Sequence, residues 1–413
     1  MSSAAELPAA ANRRWLVVAL VLLGLLLFAA QVWVTYTYFT TQLPGGNDFY
    51  PRWYGAQQLL LEGRNPYDQS VTREIEAVLD PLNQRTNSFN FAFPLPVIFS
   101  FFPLAWLSYA WAQALWIVII IWLACAAQLM LLSLARWRLT PGTVLAVLLL
   151  TLVFYPITRT IFLGQFTVHV LFFLVLGLWL RRQGYQLAAG ITLSLAILKP
   201  QLLVLLLPWL GLWFLYRREW RTLAGLLGGG VVQLLLSLLL LPSWPLDFVR
   251  GLGEYADRAG GRNLLQILLG WLPAGLQSPT VTLASLLLLL LFLYQIRQPA
   301  LALLRREPPA ATEPEQLFWQ GIFWAIVVTA LVPFQTGTTN QTLLLIPFMM
   351  WGGALVRAGK GYLFWLASFG LAVGLWLLFR VTLRGAAESE LMFLPLPLLA
   401  AAGLVFWQRT VAR

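Results

Sequence analysis

Charge, cysteine and histidine are what this 413-residue chain has least of. Asp, Glu, Lys and Arg together make up only 10% of it, while 60% is hydrophobic, and it holds one cysteine and one histidine. The lone Cys125 excludes an internal disulfide and leaves the redox compartment unread. There is no Cys/His cluster, no HExxH, no GxSxG, no P-loop and no carboxylate pair spaced like a metal site. Metalloenzyme, hydrolase and ATP-driven pump readings therefore lose ground, and neither metal nor cofactor is expected. A soluble core of this length would need far more polar surface to cover it.

What is present is apolar length. A mean hydropathy of +0.76, with 20 Trp and 26 Phe, comes in repeated runs long enough to span a bilayer. The class is an all-α polytopic membrane protein. Arg13-Arg14 precede an apolar run too long for a signal peptide, so this run should remain as an anchor. Spans are expected at about 15–35, 108–135, 143–158, 161–180, 186–199, 200–216, 222–241, 281–297, 317–333, 343–356, 362–380 and 392–408. A bundle of about twelve transmembrane helices follows, with both termini on one side. Residues 1–413 read as one integral membrane domain without a separate soluble unit.

The net charge of +11 supports this register. The whole excess falls on one set of loops, including Arg13-Arg14, Arg136, Arg138, Arg181-Arg182, Arg217-Arg218 and Arg357. Short basic clusters between apolar runs are topology signals, not a nucleic-acid face, and they place both termini in the cytoplasm. Residues 36–93 and 242–280 then become extracytoplasmic loops. Residues 94–107, apolar but broken by three prolines, read as a re-entrant or half-depth segment whose backbone must be covered by protein.

The 36–93 loop is the most polar stretch and opens with Asn47-Asp48-Phe49-Tyr50-Pro51-Arg52-Trp53-Tyr54. Tyr50–Leu61 can form a short interfacial helix with Phe49, Trp53, Ala56 and Leu60 on one stripe and Arg52 and Gln58 off it. Gly63 should stop it, and Asp68 or Ser70 should cap a second helix ending near Asp80-Pro81. Asp48 is the candidate for chemistry, although its i+4 spacing to Arg52 also suits a local ion pair or a helix cap. Arg52 and Tyr54 are candidate substrate contacts. The charged residues of 242–280, Asp247 and Arg262 among them, read as a solvated surface.

Lys199-Pro200 is the sharpest intramembrane signal. It bisects an apolar stretch between the Arg181-Arg182 and Arg217-Arg218 clusters, which must therefore form a hairpin. Each leg rises only about 20 Å against a hydrocarbon core of roughly 30 Å, so the lysine sits at membrane depth. Intramembrane ammonium groups pair with anions, a carboxylate or a lipid phosphate, unless they snorkel to the interface. Arg159, Gln165 and His169 stand near the start of the helix running to Arg181, level with Lys199; Gln165 and His169, four apart, should share a face, and interhelical hydrogen bonding would also explain them. The uncharged run Pro333–Gln341 offers Asn340 and Gln341 as groups that recognise sugars or headgroups, or as an ordinary polar loop.

Asp48 with Tyr54-Gly55-Ala56, Leu59-Leu60, Gly63 and Pro66-Tyr67 resembles the first loop of glycosyltransferase family 87. The order continues with Phe93-Pro94, Gly164-Gln165, Ala189-Gly190 leading to Lys199-Pro200, and Arg217-Arg218-Glu219-Trp220, so the resemblance covers roughly residues 45–225. It implies a GT-C-like membrane fold and a hexosyltransferase in the cell membrane with an extracytoplasmic active site. The hexose, mannose by the family's habit, would pass with inversion from a polyprenyl-phosphate donor to a lipid or glycan acceptor. Asp48 matches the family's base. Lys199, with Arg159 or Gln165, would meet the donor phosphate, and the protein would act as a monomer. Asn340-Gln341 stand where many members carry histidines. A lipid-linked saccharide transporter and a polysaccharide polymerase or ligase are the alternatives.

Overall fold

The apolar runs all fold as helix, but their breaks set the architecture. The computed structural model describes residues 7–43, 45–81, 89–259, 262–305, 315–332, 337–383 and 388–411. Helix α1 (Leu7–Thr35) passes into a π-helical turn (Tyr36–Thr40). The first loop folds into α2 (Tyr50–Glu62) and α3 (Gln69–Leu79), followed by a 3-10 turn (Leu95–Ser100). Then come α4 (Tyr109–Leu134), α5 (Pro141–Val153) and α6 (Tyr155–Leu163), the last two meeting at a 56° bend. Next are α7 (Thr167–Arg182) and α8 (Gln186–Ser194). Two 3-10 turns (Leu195–Leu198 and Pro200–Leu202) lead to α9 (Leu206–Tyr216) and α10 (Trp220–Leu240). The second loop carries α11 (Trp244–Ala259) and α12 (Leu264–Leu268). Beyond it lie α13 (Ala274–Leu304), α14 (Glu315–Leu331), a 3-10 segment (Thr338–Leu344) and α15 (Leu345–Arg357). The chain closes with α16 (Gly361–Thr382), a 3-10 turn (Glu390–Phe393) and α17 (Pro395–Val411). Among the described residues there is no strand.

The count of spans differs from expectation. Among the described residues six helices are long and apolar enough to cross a membrane, or seven with the bent α5–α6 pair taken as one. About twelve is therefore not confirmed. The reason is local: Phe154, Gly164 and Lys199-Pro200 cut the apolar runs, so the expected spans 186–199 and 200–216 appear as shorter apolar helices, and 317–333 folds as the 17-residue helix α14. Such short legs satisfy their end groups inside protein, whereas long helices can face lipid. Accordingly α1, α10, α13 and α16 expose rows of Leu, Val and Phe, while α14 is buried through Phe318–Val328.

Two packing features position the site. The expected hairpin is present: Arg181 at the end of α7 makes a two-pronged ion pair to Glu219 beyond α9 (2.8 and 2.5 Å), so the ends of those helices are level. Helices α8 and α10 cross at backbone contact, since a Cβ on Gly190 would fall 2.0 Å from the Thr222 carbonyl and one on Gly225 2.4 Å from that of Leu187. Small residues permit this close approach, the usual device of apolar helix pairs.

The first loop follows its predicted outline with two corrections. Gly63 terminates α2 in the left-handed conformation (φ 66°), and α3 begins after Asp68 and ends before Asp80, without a side-chain cap from Asp68. Arg52 and Gln58, expected off the apolar stripe, are buried (6% and 2% exposed). The Phe93 and Phe166 rings flank the Arg52 guanidinium, and Gln58 accepts from Arg64 and donates to Glu62 (3.2 Å). Trp53 Nε1 donates to the Leu104 carbonyl (3.0 Å) of the proline-broken segment, whose Leu95, Val97, Ile98, Phe101 and Leu104 are buried. One side of the segment is covered by protein, while Phe102 and Trp106 remain exposed. The second loop is also less free than expected: Asn65 Nδ2 donates to Asp247 (2.9 Å), and Arg262 Nε donates to Glu390 (3.1 Å). The side chains of Arg13-Arg14 and the start of the polar run, residues 333–336, lie outside the described residues.

Candidate functional site

Asp48 is placed by backbone pairing rather than by its own helix. The N–H groups of Gly46 and Asp48 donate to the carbonyls of Phe162 and Leu163 (3.2 and 3.1 Å), fastening the loop onto the last turn of α6. Those carbonyls are orphans of a helix C-terminus and need outside donors. Gly164 then reverses the chain with φ 69°, and its carbonyl accepts from Trp116 Nε1 (3.0 Å). The reversal brings Gln165 beneath the loop, where its Nε2 donates to Asp48 Oδ2 (2.5 Å). Gln165 therefore precedes α7 instead of sharing a helical face with His169, which corrects the i+4 expectation.

Gly164 is required by this geometry. A Cβ there would stand 2.4 Å from Phe49 Cβ, which is fixed to the backbone and cannot swing aside. The left-handed conformation costs an L side chain about 1–2 kcal/mol and overpacking about 1–3 kcal/mol more. Gly164→Ala is expected to destabilise the protein by roughly 2–5 kcal/mol on those grounds. Thermal unfolding in detergent checks this, and an unchanged midpoint would show that the loop does not depend on the contact.

Lys199 lies between the two 3-10 turns at the hairpin apex and is 3% exposed. Its ammonium donates to Thr167 Oγ1 (3.2 Å) and Asn340 Oδ1 (2.8 Å). Burial among protein partners distinguishes it from a snorkelling lysine, whose charge would reach the interface. Both direct partners are neutral. The charges that act on it are Arg52, which repels, and Asp48, which attracts. Arg52 lies under Phe93, its guanidinium carbon 4.1 Å from the ring centroid, with Phe166 at 5.8 Å. Two buried cations and one carboxylate thus converge from α2, the hairpin apex and the loop before α2. A buried ammonium held by neutral side chains, little screened by water, favours an anion.

The other predicted residues take separate places. Arg159 faces Glu388 (Nε to Oε2, 4.0 Å). His169 stacks on Trp116 (centroids 4.3 Å apart), and neither ring nitrogen has a hydrogen-bond partner among the described residues. Gln341 donates to the Phe393 carbonyl (2.8 Å). Tyr54 donates to Glu74 (2.7 Å), which also takes Arg64 (2.8 Å). Burial and that hydrogen bond push the Tyr54 phenol up to about 12, while Arg64 and Tyr54 hold the Glu74 carboxyl below its usual range. This trio clamps α2 to α3. Among the described residues no three His, Cys, Asp or Glu side chains converge as metal ligands would.

Thr167, Trp116 and Glu388 were not singled out in the sequence. Thr167 and Trp116 carry no local signal, because their roles arise from helix contacts. Glu388 does stand out mildly, as one of two carboxylates in the apolar stretch from residue 316 onward.

The family model of glycosyltransferase family 87 matches residues 91–264. No curated protein and no solved structure matches the chain.

Proposed function

That match assigns the chain to glycosyltransferase family 87, a glycosyltransferase with several helices apolar enough to cross a membrane, and from this premise we propose that it transfers a hexose from a polyprenyl-phosphate donor to an extracytoplasmic lipid or glycan acceptor. Mannose is the hexose the family resemblance favours. The observation that carries the reading is the convergence of the Asp48 carboxylate with the buried Lys199 and Arg52. It joins a proton acceptor to a buried ammonium suited to a phosphate.

In this mechanism the acceptor hydroxyl gives its proton to Asp48 as its oxygen bonds to the anomeric carbon. The bond from that carbon to the phosphate oxygen breaks on the opposite face, so configuration inverts, and the electron pair stays with polyprenyl phosphate. Lys199 meets the charge that grows there, in a dry setting where a fixed cation is most effective. Gln165, bonded to Asp48, aims the base and leaves its lone pairs toward the acceptor. The general base contributes about 10²–10⁴-fold.

The loop assignment from basic clusters puts this chemistry on the extracytoplasmic side, with both termini cytoplasmic. One experiment tests chemistry and side together. Labelled polyprenyl-phosphate mannose is supplied to sealed right-side-out and inverted vesicles with an impermeant acceptor, a water-soluble alkyl α-mannoside. Transfer in the right-side-out preparation is expected. Transfer confined to inverted vesicles overturns the orientation. Movement of a lipid-linked saccharide across the membrane without a new glycosidic bond favours the transporter alternative, and chain extension by whole repeats favours a polymerase or ligase.

A further inference from the structure

A second polar centre lies one turn of α6 from the Asp48 loop. Tyr155 Oη donates to Glu388 Oε1 (2.7 Å), and Thr338 Oγ1 donates to the same carboxylate (2.9 Å to Oε1, 3.0 Å to Oε2). Arg159 Nε stands 4.0 Å from Oε2, and that buried nitrogen has no hydrogen-bond partner among the described residues. Three segments distant in sequence, α6, the 3-10 segment before α15 and the stretch after α16, therefore meet at one carboxylate.

The cluster borders the transfer site on two sides. Arg159 precedes Leu163, whose carbonyl accepts the Asp48 N–H (3.1 Å), by one turn of helix, a rise of about 6 Å. Thr338 precedes Asn340, the partner of Lys199 (2.8 Å), by two residues.

The open gap decides what the centre can hold. Charge-assisted N–H···O contacts close to about 2.7–2.9 Å when nothing intervenes. Here both side chains are largely buried (24% and 13% exposed), yet the pair stays at 4.0 Å. Oε2 accepts from Thr338 (3.0 Å) and can accept once more, and the buried Nε–H has no partner among the described residues. A hydroxyl completes both, because it donates one hydrogen bond and accepts others. Its oxygen, at ordinary hydrogen-bond lengths from both atoms, would see them at an angle of about 90°. A phosphate would meet repulsion from Glu388, and an ammonium would meet repulsion from Arg159. The Arg159 charge, expected from the sequence to meet the donor phosphate, already has its carboxylate.

We infer that Glu388 and Arg159 form a hydroxyl-recognition subsite beside the transfer site, which binds one ring hydroxyl of a hexose. This rests on the reading of the chain as a hexosyltransferase. The hydroxyl belongs to the sugar being transferred or to a sugar of the acceptor.

A hydroxyl-deletion cycle tests it. In one arm, kcat/KM is measured for wild type and Glu388→Gln with polyprenyl-phosphate mannose and its monodeoxy analogues. In the other arm the donor is intact, and the acceptor is an alkyl α-mannoside or its monodeoxy analogues. In the wild type, deleting the bound hydroxyl should lower kcat/KM about 10- to 150-fold, the range for a hydrogen bond to a charged group. In Glu388→Gln the same deletion should have several-fold less effect, while every other deletion acts as it does in the wild type. A carboxylate that merely held α6 in place would lower all rates together and leave each penalty unchanged. Loss of the penalty in the donor arm assigns the hydroxyl to the transferred sugar, and in the acceptor arm to the acceptor. Should Glu388→Gln not accumulate as folded protein, Arg159→Lys carries the same cycle, since it keeps the charge and removes the Nε–H. Unchanged penalties in both arms, for every variant that transfers, overturn the subsite alone. Absence of transfer by the wild type from any polyprenyl-phosphate hexose sinks the hexosyltransferase reading and this inference with it.

Discussion

Asp48→Asn is expected to yield a folded, inserted protein whose sugar transfer falls by about 10²–10⁴-fold, the range for loss of a general base. The substitution keeps size and shape. The backbone N–H that bonds Leu163 is untouched, and an amide oxygen can still accept from Gln165 Nε2. Only the basicity is lost, because an amide does not take up a proton near neutral pH. Turnover should therefore collapse while donor affinity stays near its original value, since Asp48 is not asked to bind the phosphate. Single-turnover transfer rates alongside binding of polyprenyl phosphate separate the two quantities. Turnover within a few-fold of wild type would remove Asp48 from the mechanism and return it to its local alternative, a fastening residue of the loop.

The second large effect is expected at Lys199. Its ammonium is buried and held by two neutral oxygens, Thr167 Oγ1 and Asn340 Oδ1. If it neutralises the donor phosphate, Lys199→Gln leaves that anion with one fewer counter-charge in a dry site. Removing one member of such a pair costs about 2–5 kcal/mol, roughly a 30- to 5,000-fold loss of affinity. Turnover should fall too, because the phosphate oxygen gains charge as the glycosidic bond breaks. Lys199→Arg should recover part of both, since a planar fork replaces a compact point charge. Glutamine can keep hydrogen bonds to Thr167 and Asn340, so a lysine serving only to tie the hairpin to α7 would tolerate it. Equal affinity of the purified Gln variant and the wild type for polyprenyl phosphate would sink the phosphate role.

Asn340 gives this second prediction a structural context. The structure makes it the nearest hydrogen-bond partner of the lysine (2.8 Å). A neutral amide there accepts from Lys199 without adding charge. The position thus supports the ammonium and leaves its charge for a ligand.

Local chemistry made much of the protein legible in one dimension. Gly63, in the left-handed conformation only glycine adopts cheaply, ended α2 where predicted, and the prolines of 94–107 forbade a regular span there. The Lys199-Pro200 interruption between two arginine pairs required a hairpin, and the Arg181–Glu219 pair shows its feet level. Each of these follows from a backbone restriction or a charge that acts within a few residues. The number of long spans was not legible in the same way, because hydropathy does not distinguish an apolar run facing lipid from one broken and buried in the bundle.

The site itself was decided by tertiary structure. Asp48, Lys199 and Gln165 could each be nominated from residue type and setting, but their arrangement depends on contacts between segments more than a hundred residues apart. Gln165 meets Asp48 only because Gly164 turns the chain under the loop, and Lys199 meets Asn340 across 141 residues. Arg159 found Glu388 rather than a place beside Lys199, across a chain separation no local pattern records. Arg52 looked solvent-facing because α2 alone has an exposed side, and the Phe93 and Phe166 rings cover it when the chain packs. Helix periodicity reports one helix and its nearest surface. The identity of what covers that surface is set when the helices pack, and that step placed the carboxylate, the cations and the open Arg159–Glu388 pair together.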